Sequence, residues 1–379
     1  MDFKPYKTLL LSFHEEVLGA TLGEFGGWIV PMVYTSVFEE HNAVRTSVGV
    51  FDVSHMGRLR LKGPDVIPFL QRVFTRNIAK TKDYWMSGPT LVLNEYARVK
   101  DDEMPYRISE DEWLVVVNAP YREKMINYFK DIIRREKFNV TVEDLTFKYA
   151  MIAVQGPKVE EVFSSIGADW VNNLHTLEFR VNCEIAGQKV YLISRSGWTG
   201  EDGFEIWAEP KYMIEIYRIL LRVGVKPVGI ISRDTLRIEM GYVLGEHEYG
   251  EDPTKYPPAL SLRYGFGAID WSKHGFIGEE ALRAYRREGV KWIRVGIKMR
   301  KKHARVIPRK NCKIYVEDQL VGWITSGTYS PYLKTSIAQA YIDTRYAILG
   351  EPVEIEIRGK RYEGKIVDFP LVPGRPVIK

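Results

Sequence analysis

Cysteine is nearly absent from these 379 residues: Cys183 and Cys312 are the only two. They lie far apart and in no Cys-x-x-Cys or Cys/His spacing, which argues against a disulfide framework and a structural zinc site. No apolar run approaches the roughly 18 residues needed to cross a bilayer, so no membrane partner is expected. The opening residues, Met1 to Lys7, carry no apolar leader, and a cytoplasmic location is the expectation. Charge of one sign is not in large excess either, at a net +5. Its one dense cluster runs from Lys298 to Arg305, followed by Arg309 and Lys310. A short basic run of this kind is usually a solvated loop, but it can also steer an acidic partner. Without a helix-turn-helix, zinc-finger or RNP pattern beside it, nucleic acid is not an expected ligand.

What is present is an ordinary soluble balance, 45% hydrophobic and 27% charged, in a chain long enough for about two to three domains. Met125, Tyr128, Phe129, Ile132 and Ile133 recur at helical spacing between Tyr121 and Glu136, and Tyr212, Met213, Ile216, Ile219 and Leu220 form a second such stripe. Strand-like sequence precedes each. Trp113 to Val117 is apolar on both faces, as a buried strand should be, whereas Arg58 to Lys62 alternates like a half-exposed one. From about Lys291 onward short β-patterned segments are separated by turn residues, which predicts a compact all-β barrel or sandwich. The Pro-rich passage from Glu251 to Ala259 and the polar stretch from Ala284 to Lys291 read as connectors. The expected fold is α+β with three domains: residues 1–283 as two interleaved α+β domains and residues 284–379 as a C-terminal β-barrel.

Four segments carry possible chemistry. Asp101-Asp102 stands between apolar runs, where a carboxylate doublet is either a turn tip or a charged group aimed at something. Between Ser194 and Ile206, Gly197, Gly200 and Gly203 permit a hairpin turn or the close approach of a flat ligand. In the same segment Glu205 is flanked by Phe204 and Ile206, so its carboxylate can point into a cavity and accept N–H donors from a heterocycle, while Asp202 is expected only to shape the turn. Arg233 and Arg237 lie four apart on one helix face, as an ion-pair network or as a carboxylate-binding site, with Glu239 able to pair with a neighbour. His55 lacks any nucleophile motif and is expected to be a satisfied structural group.

Taken in chain order, Phe25-Gly-Gly-Trp28, Pro31-Met32, Glu40-His-Asn-Ala-Val-Arg45, Phe51-Asp-Val-Ser-His-Met-Gly57, Val154-Gln-Gly-Pro157, Gly197-Trp-Thr-Gly-Glu-Asp-Gly-Phe-Glu205, Arg233-Asp-Thr-Leu-Arg237, Phe276-Ile-Gly278 and Thr325-Ser-Gly-Thr-Tyr-Ser-Pro331 resemble the aminomethyltransferases of the glycine cleavage system, the T-proteins. The resemblance extends over nearly the whole chain, though related folate-dependent demethylases share much of the pattern.

That resemblance implies transfer of the one-carbon unit of an aminomethyl group, carried on the lipoyl arm of H-protein, to tetrahydrofolate or a related reduced pterin, with release of ammonia. A carboxylate near the pterin would position its nitrogen and stabilise positive charge on the carbon as ammonia leaves, with no metal required. By the family's motif this carboxylate is Asp102, with Asp101 beside it. The same matching places the pterin-binding acid at Glu205 and the folate-contacting arginine at Arg233, with Asn118, Met56 and Trp198 lining the cavity. The alternatives are a folate-dependent methyltransferase or demethylase acting on a small-molecule donor, and a non-catalytic folate-binding protein. The chain departs from the family's pattern at Ala97-Arg98 in place of Gly-Gly, near Pro89, at Glu103 and Pro105, and in the tail from Val372 to Pro376, where Arg375 is a candidate replacement contact. The basic segment around Arg305 and Arg309 is a candidate docking surface for an acidic lipoyl carrier.

Overall fold

The computed structural model describes residues 4–265 and 267–372. Along the first half run β1 (Tyr6–Lys7), β2 (Thr21–Phe25), β3 (Trp28–Val33), α1 (Val37–Thr46), β4 (Gly49–Asp52), β5 (Gly57–Lys62), α2 (Val66–Val73), β6 (Trp85–Met86), β7 (Thr90–Leu93), β8 (Val99–Arg107), β9 (Glu112–Val117), α3 (Arg122–Glu136) and β10 (Thr141–Asp144). Then follow β11 (Ala150–Gln155), α4 (Val159–Ser165), β12 (Phe179–Ile185), β13 (Gln188–Arg195), β14 (Gly203–Ala208), α5 (Pro210–Arg222), β15 (Lys226–Pro227), α6 (Ile230–Met240) and α7 (Glu279–Glu288). The last third holds β16 (Trp292–Met299), β17 (Lys313–Val316), β18 (Gln319–Ser330), β19 (Thr335–Asp343), β20 (Pro352–Ile357) and β21 (Lys360–Val367).

Two six-stranded sheets position the site. One has the order β10-β5-β9-β8-β6 with β7 paired to β8, and the other β12-β13-β14-β11-β4-β15. Their strands alternate along the chain, since β4 belongs to the second sheet, β5 to β10 to the first, and β11 to β15 to the second again. Helices α2 and α3 cover the outer face of the first sheet, where Phe69, Leu70, Met125, Phe129 and Ile132 pack on Leu59, Trp113 and Val115. On the second sheet α4 and α5 play the same part, with Phe163, Met213, Ile216 and Leu220 against Ile152, Ile193 and Ile206. Both expected helical stripes are therefore the buried faces of α3 and α5, as their periodicity requires. The inner faces of the two sheets enclose a third core, built from Phe51, Tyr106, Leu114, Met151, Leu192 and Trp207.

Short apolar strands with turn residues between them close into a six-stranded barrel, β16-β19-β18-β17-β20-β21, around Ile297, Ile314, Ile324 and Ile355. The expected C-terminal barrel is thus present. Helix α6 runs between the inter-sheet layer and the barrel: Leu236 packs in the inter-sheet core and Ile238 against Ile337 of β19.

Two local expectations are corrected. Arg58 is fully buried instead of lying on an exposed strand face. Its guanidinium donates to the carbonyls of Met56 (2.6 Å), Ser54 (3.1 Å), Tyr149 (2.9 Å) and Thr146, so it ties down the loop between β4 and β5. The stretch from Ala284 to Lys291 is not a plain connector, because α7 continues to Glu288 and buries Leu282. A charged helix with a narrow apolar stripe looks like a linker until its partner surface exists.

Candidate functional site

A slot opens in the layer between the two sheets. Its walls include Asp102, Glu103, Met104 and Tyr106 from β8, Val116 and Asn118 at the end of β9, Met56, Met151, Gly197, Trp198, Glu205 and Arg233. It is narrow, with a cavity volume of about 70 Å³. Six of the seven side chains singled out by sequence meet here: Asp102, Asn118, Glu205, Arg233, Met56 and Trp198. Asp101 stands directly behind the wall.

The acidic doublet is set in a strand and not at a turn tip. A bulge between Val92 and Leu93 of β7 interrupts its pairing with β8 just before Asp101 and Asp102. Such irregularities re-aim side chains next to ligand sites. Asp101 turns back along its own chain, and its Oδ1 accepts from the Asp102 amide (3.0 Å) and from Asn118 Nδ2 (2.8 Å), while Oδ2 accepts from the Asn118 amide (3.1 Å). The carboxylate of Asp102 accepts from Tyr249 hydroxyl (2.5 Å) and Asn118 Nδ2 (2.9 Å) on one oxygen and from Tyr264 hydroxyl (2.8 Å) on the other. Burial, reinforced by the neighbouring charge of Asp102, pushes Asp101 up to about 8. Burial also raises Asp102, against the pull of three hydrogen-bonding side chains. Two adjacent buried carboxyls cannot both ionise cheaply, so each raises the cost of charging the other.

Across the slot, Glu205 accepts a 2.6 Å hydrogen bond from Ser196 Oγ and a longer one from Tyr106 hydroxyl at 3.5 Å. Burial raises its pKa, while Ser196, the Arg233 charge and Tyr106 act in the opposite direction. Arg233 is half-buried, and its guanidinium has no hydrogen-bond or ion-pair partner among the described residues. Burial lowers it to about 10, with Glu205 as the principal opposing charge. A charged fork without a partner, beside a carboxylate with free acceptor capacity, is the donor set that a planar heterocycle with an acidic or carbonyl substituent would satisfy.

The glycine-rich loop is a hairpin connection between β13 and β14, as its turn reading expected, and it also supplies the slot with Gly197 and Trp198. A Cβ on Gly197 would sit 1.8 Å from Gln155 Oε1 and one on Gly203 would sit 2.2 Å from Gln155 Nε2, so close approach explains both glycines. Gln155 in turn donates to the Ser196 carbonyl and accepts from Thr199, holding the loop against β11. Trp198 packs on Tyr242 with ring centroids 4.7 Å apart. Asp202 only shapes the turn, accepting from Arg195 and from the Gly203 amide.

Arg237 is structural. It is 2% exposed and donates to Asp234 (2.7 Å), Glu248 (3.1 Å) and Ser326 (2.9 Å). Glu239 does pair with neighbours, accepting from Arg45 and His41. His55 is buried but is not the satisfied group expected, for among the described residues neither ring nitrogen has a hydrogen-bond partner. Burial and the charge of Arg233 hold it at about 3, so it is a neutral ring, packed edge-on against Phe25. Arg375 lies outside the described residues. Sequence reading missed Tyr249, Tyr264, Tyr106 and Ser196, the groups that hold the two key carboxylates. Ser196 falls within the glycine-rich segment without being singled out there, and the three tyrosines reach their partners from 99 to 162 residues away.

Among the described residues, no helix is long and apolar enough to cross a membrane. Residues 11–263 match the family model for the GCVT N-terminal domain, and residues 294–373 match that for the glycine cleavage T-protein C-terminal barrel domain. A probable aminomethyltransferase of Aeropyrum pernix is 54% identical over 369 residues, spanning 97% of this chain and 98% of that protein. The aminomethyltransferase of Bacillus pumilus is 37% identical over 364 residues, covering 95% and 97%. The crystal structure of the glycine cleavage system aminomethyltransferase T from Bartonella henselae superposes with a TM-score of 0.87 at 28% identity, over 97% of this chain and 98% of that one. Matched across both parts and along nearly its full length, the chain belongs to the glycine cleavage T-protein family of aminomethyltransferases.

Proposed function

We propose that this aminomethyltransferase of the glycine cleavage system passes the one-carbon unit of aminomethyl-lipoyl H-protein to tetrahydrofolate, and that Asp102 is its catalytic carboxylate. One observation carries the reading: the Asp102 carboxyl, held by three side-chain donors, lines a slot whose other wall offers Glu205 and an arginine without a partner among the described residues. Glu205 and Arg233 bind and orient the pterin, one accepting N–H donors and the other pairing with a carbonyl or acidic group. Met56 and Trp198 supply apolar walls that exclude water, and Asn118 holds both aspartates in register.

Asp102 then acts by charge. Positive charge develops on the transferred carbon as ammonia departs, and a preorganised carboxylate in a slot shielded from water stabilises it without reorganising. Asp101, behind it, shares Asn118 and Tyr249 with Asp102 and fixes the position of both. Arg305 and Arg309 are both exposed and suit an acidic carrier as partner.

Asp102→Asn is expected to lower kcat on the order of 100-fold while tetrahydrofolate affinity stays within about twofold, since the charge acts chiefly in the transition state. Parallel loss of binding and turnover would count against the assignment. Assays with and without lipoylated H-protein separate this reading from transfer out of a small-molecule donor.

A further inference from the structure

Of the three donors on the Asp102 carboxyl, two are shared with Asp101. Asn118 Nδ2 and the Tyr249 hydroxyl both hold Asp102 Oδ1, and they lie 2.8 Å and 3.1 Å from Asp101 Oδ1. The Tyr249 oxygen also accepts from the Asp102 amide (3.4 Å) and from Asn118 (3.3 Å), so these groups fix the doublet as a unit. Tyr264 does something different: its hydroxyl donates to Oδ2 of Asp102 at 2.8 Å, the oxygen opposite the one that Asn118 and Tyr249 hold. The terminal torsion of an aspartate is broad, so a carboxylate gripped at one oxygen can still swing, and a donor on each oxygen sets its plane.

The segment that carries Tyr264 is fastened on both sides. Before it, the short helical turn Ala259–Leu262 ends at Arg263, whose φ of +49° is a left-handed conformation that residues other than glycine seldom adopt. Arg294 of β16 holds the Leu262 carbonyl at 2.7 Å, and Arg263 donates to Asp368 at 3.0 Å. After it, the Ala268 carbonyl accepts from Thr75 Oγ1 (2.7 Å), and the Asp270 amide donates to the Thr75 carbonyl (3.1 Å). The barrel thus grips one end and the first-sheet unit the other, while the Tyr264 ring packs on the core of that sheet.

We propose that Tyr264 is a positioning residue for the one-carbon transfer: by holding Oδ2 it sets the plane of the Asp102 carboxylate toward the reacting carbon. The proposal rests on the reading of Asp102 as the catalytic carboxylate and deepens it. A hydrogen bond to the ionised form lowers the pKa of a carboxyl, so Tyr264, like Tyr249, opposes the rise that burial causes. The other titratable groups around Asp102 are Asp101 and Glu103 on its own strand, Tyr249, Tyr121 ahead of α3 and Arg233 of α6. All of these stay in place when the Tyr264 hydroxyl alone is removed.

The test compares full-length wild type, Tyr264→Phe, Asp102→Asn and the double variant. It reads kcat with aminomethyl-lipoyl H-protein across pH, tetrahydrofolate Kd by calorimetry, and melting of the ligand-free proteins. Tyr264→Phe keeps the ring and loses the hydroxyl, so kcat is expected to fall about tenfold, as for a lost hydrogen bond to a charged group, with Kd within about twofold. The acid limb of its kcat profile is expected to move up by roughly one pH unit, because the charged carboxylate has lost a donor. In the Asp102→Asn background the same change is expected to cost about twofold at most, since its effect passes through the carboxylate. Ligand-free Tyr264→Phe is expected to melt close to the wild-type temperature. An unmoved acid limb, equal losses in both backgrounds, a Kd that rises as far as kcat falls, or a Phe variant that fails to fold overturns the role of Tyr264 and leaves that of Asp102 standing. Full activity in Asp102→Asn overturns both.

Discussion

Asp101 and Asp102 are neighbours in sequence but not in environment. One is enclosed behind the wall and the other lines the slot, and their titration should be visible in stability. Burial raises the folded-state pKa of Asp101 to about 8, above its ordinary value of 3.8. A raised carboxyl contributes stability that is fully present below the unfolded pKa and is lost as pH rises through the folded one. Between about pH 4 and 8 the native state therefore holds an extra proton, and unfolding free energy should fall with a slope of up to about 1.4 kcal/mol per pH unit from this group. Urea titrations across this window should show a flatter profile for Asp101→Asn than for wild type. Equal slopes would mean that the proton resides elsewhere. The doublet was legible in the sequence because adjacent charges between apolar runs are rare. The donors that hold it, Tyr249 and Tyr264, were not, because each sits in a loop whose approach to β8 is decided by the fold.

Among elements, α1 and α6 are joined by a buried ion pair as well as by the Glu40–Ser232 hydrogen bond. Arg45 donates to Glu239 from Nε (2.9 Å) and Nη2 (2.7 Å), and His41 and Ser330 complete the acceptor's shell. Arg45 also reaches the Thr199 carbonyl and Glu201, so the same side chain braces the glycine-rich loop of the slot. Replacing it with Met strands a buried carboxylate, which typically costs about 3–5 kcal/mol. Arg45→Met should accordingly melt well below wild type and raise KM for tetrahydrofolate through the loosened loop. A variant that lost neither would show that the pair is dispensable. Helices α3 and α5 were readable from period alone, since an apolar stripe has one stable use on a sheet. Arg58 was misread for the complementary reason: strand alternation reports which residues face apart, but not whether a second sheet covers the polar side.

At the scale of the molecule, the barrel is joined to the sheet layers by buried polar contacts as well as apolar packing. Arg294 of β16 donates to the carbonyls of Leu262 and Gly241 and to Gln339, fixing the barrel beside the end of α6. Arg305 and Arg309 lie on this barrel unit, in the segment between β16 and β17. The double substitution Arg305→Glu with Arg309→Glu is expected to raise KM for lipoylated H-protein about tenfold at low ionic strength, with a smaller effect at high salt and no change in KM for tetrahydrofolate. Insensitivity to both charge and salt would remove this surface as the docking site.

By itself the sequence determined the layered α+β architecture, the C-terminal barrel and the residue types on the slot wall. Period, turn chemistry and motif order are local properties that survive without coordinates. Only the tertiary structure decided that Asp102 and not Asp101 lines the slot, and that Arg237 is bound up in a network while Arg233 has no partner among the described residues. Each of these depends on groups remote in the chain, brought within hydrogen-bond reach, or kept out of it, by two sheets whose strands alternate along the chain.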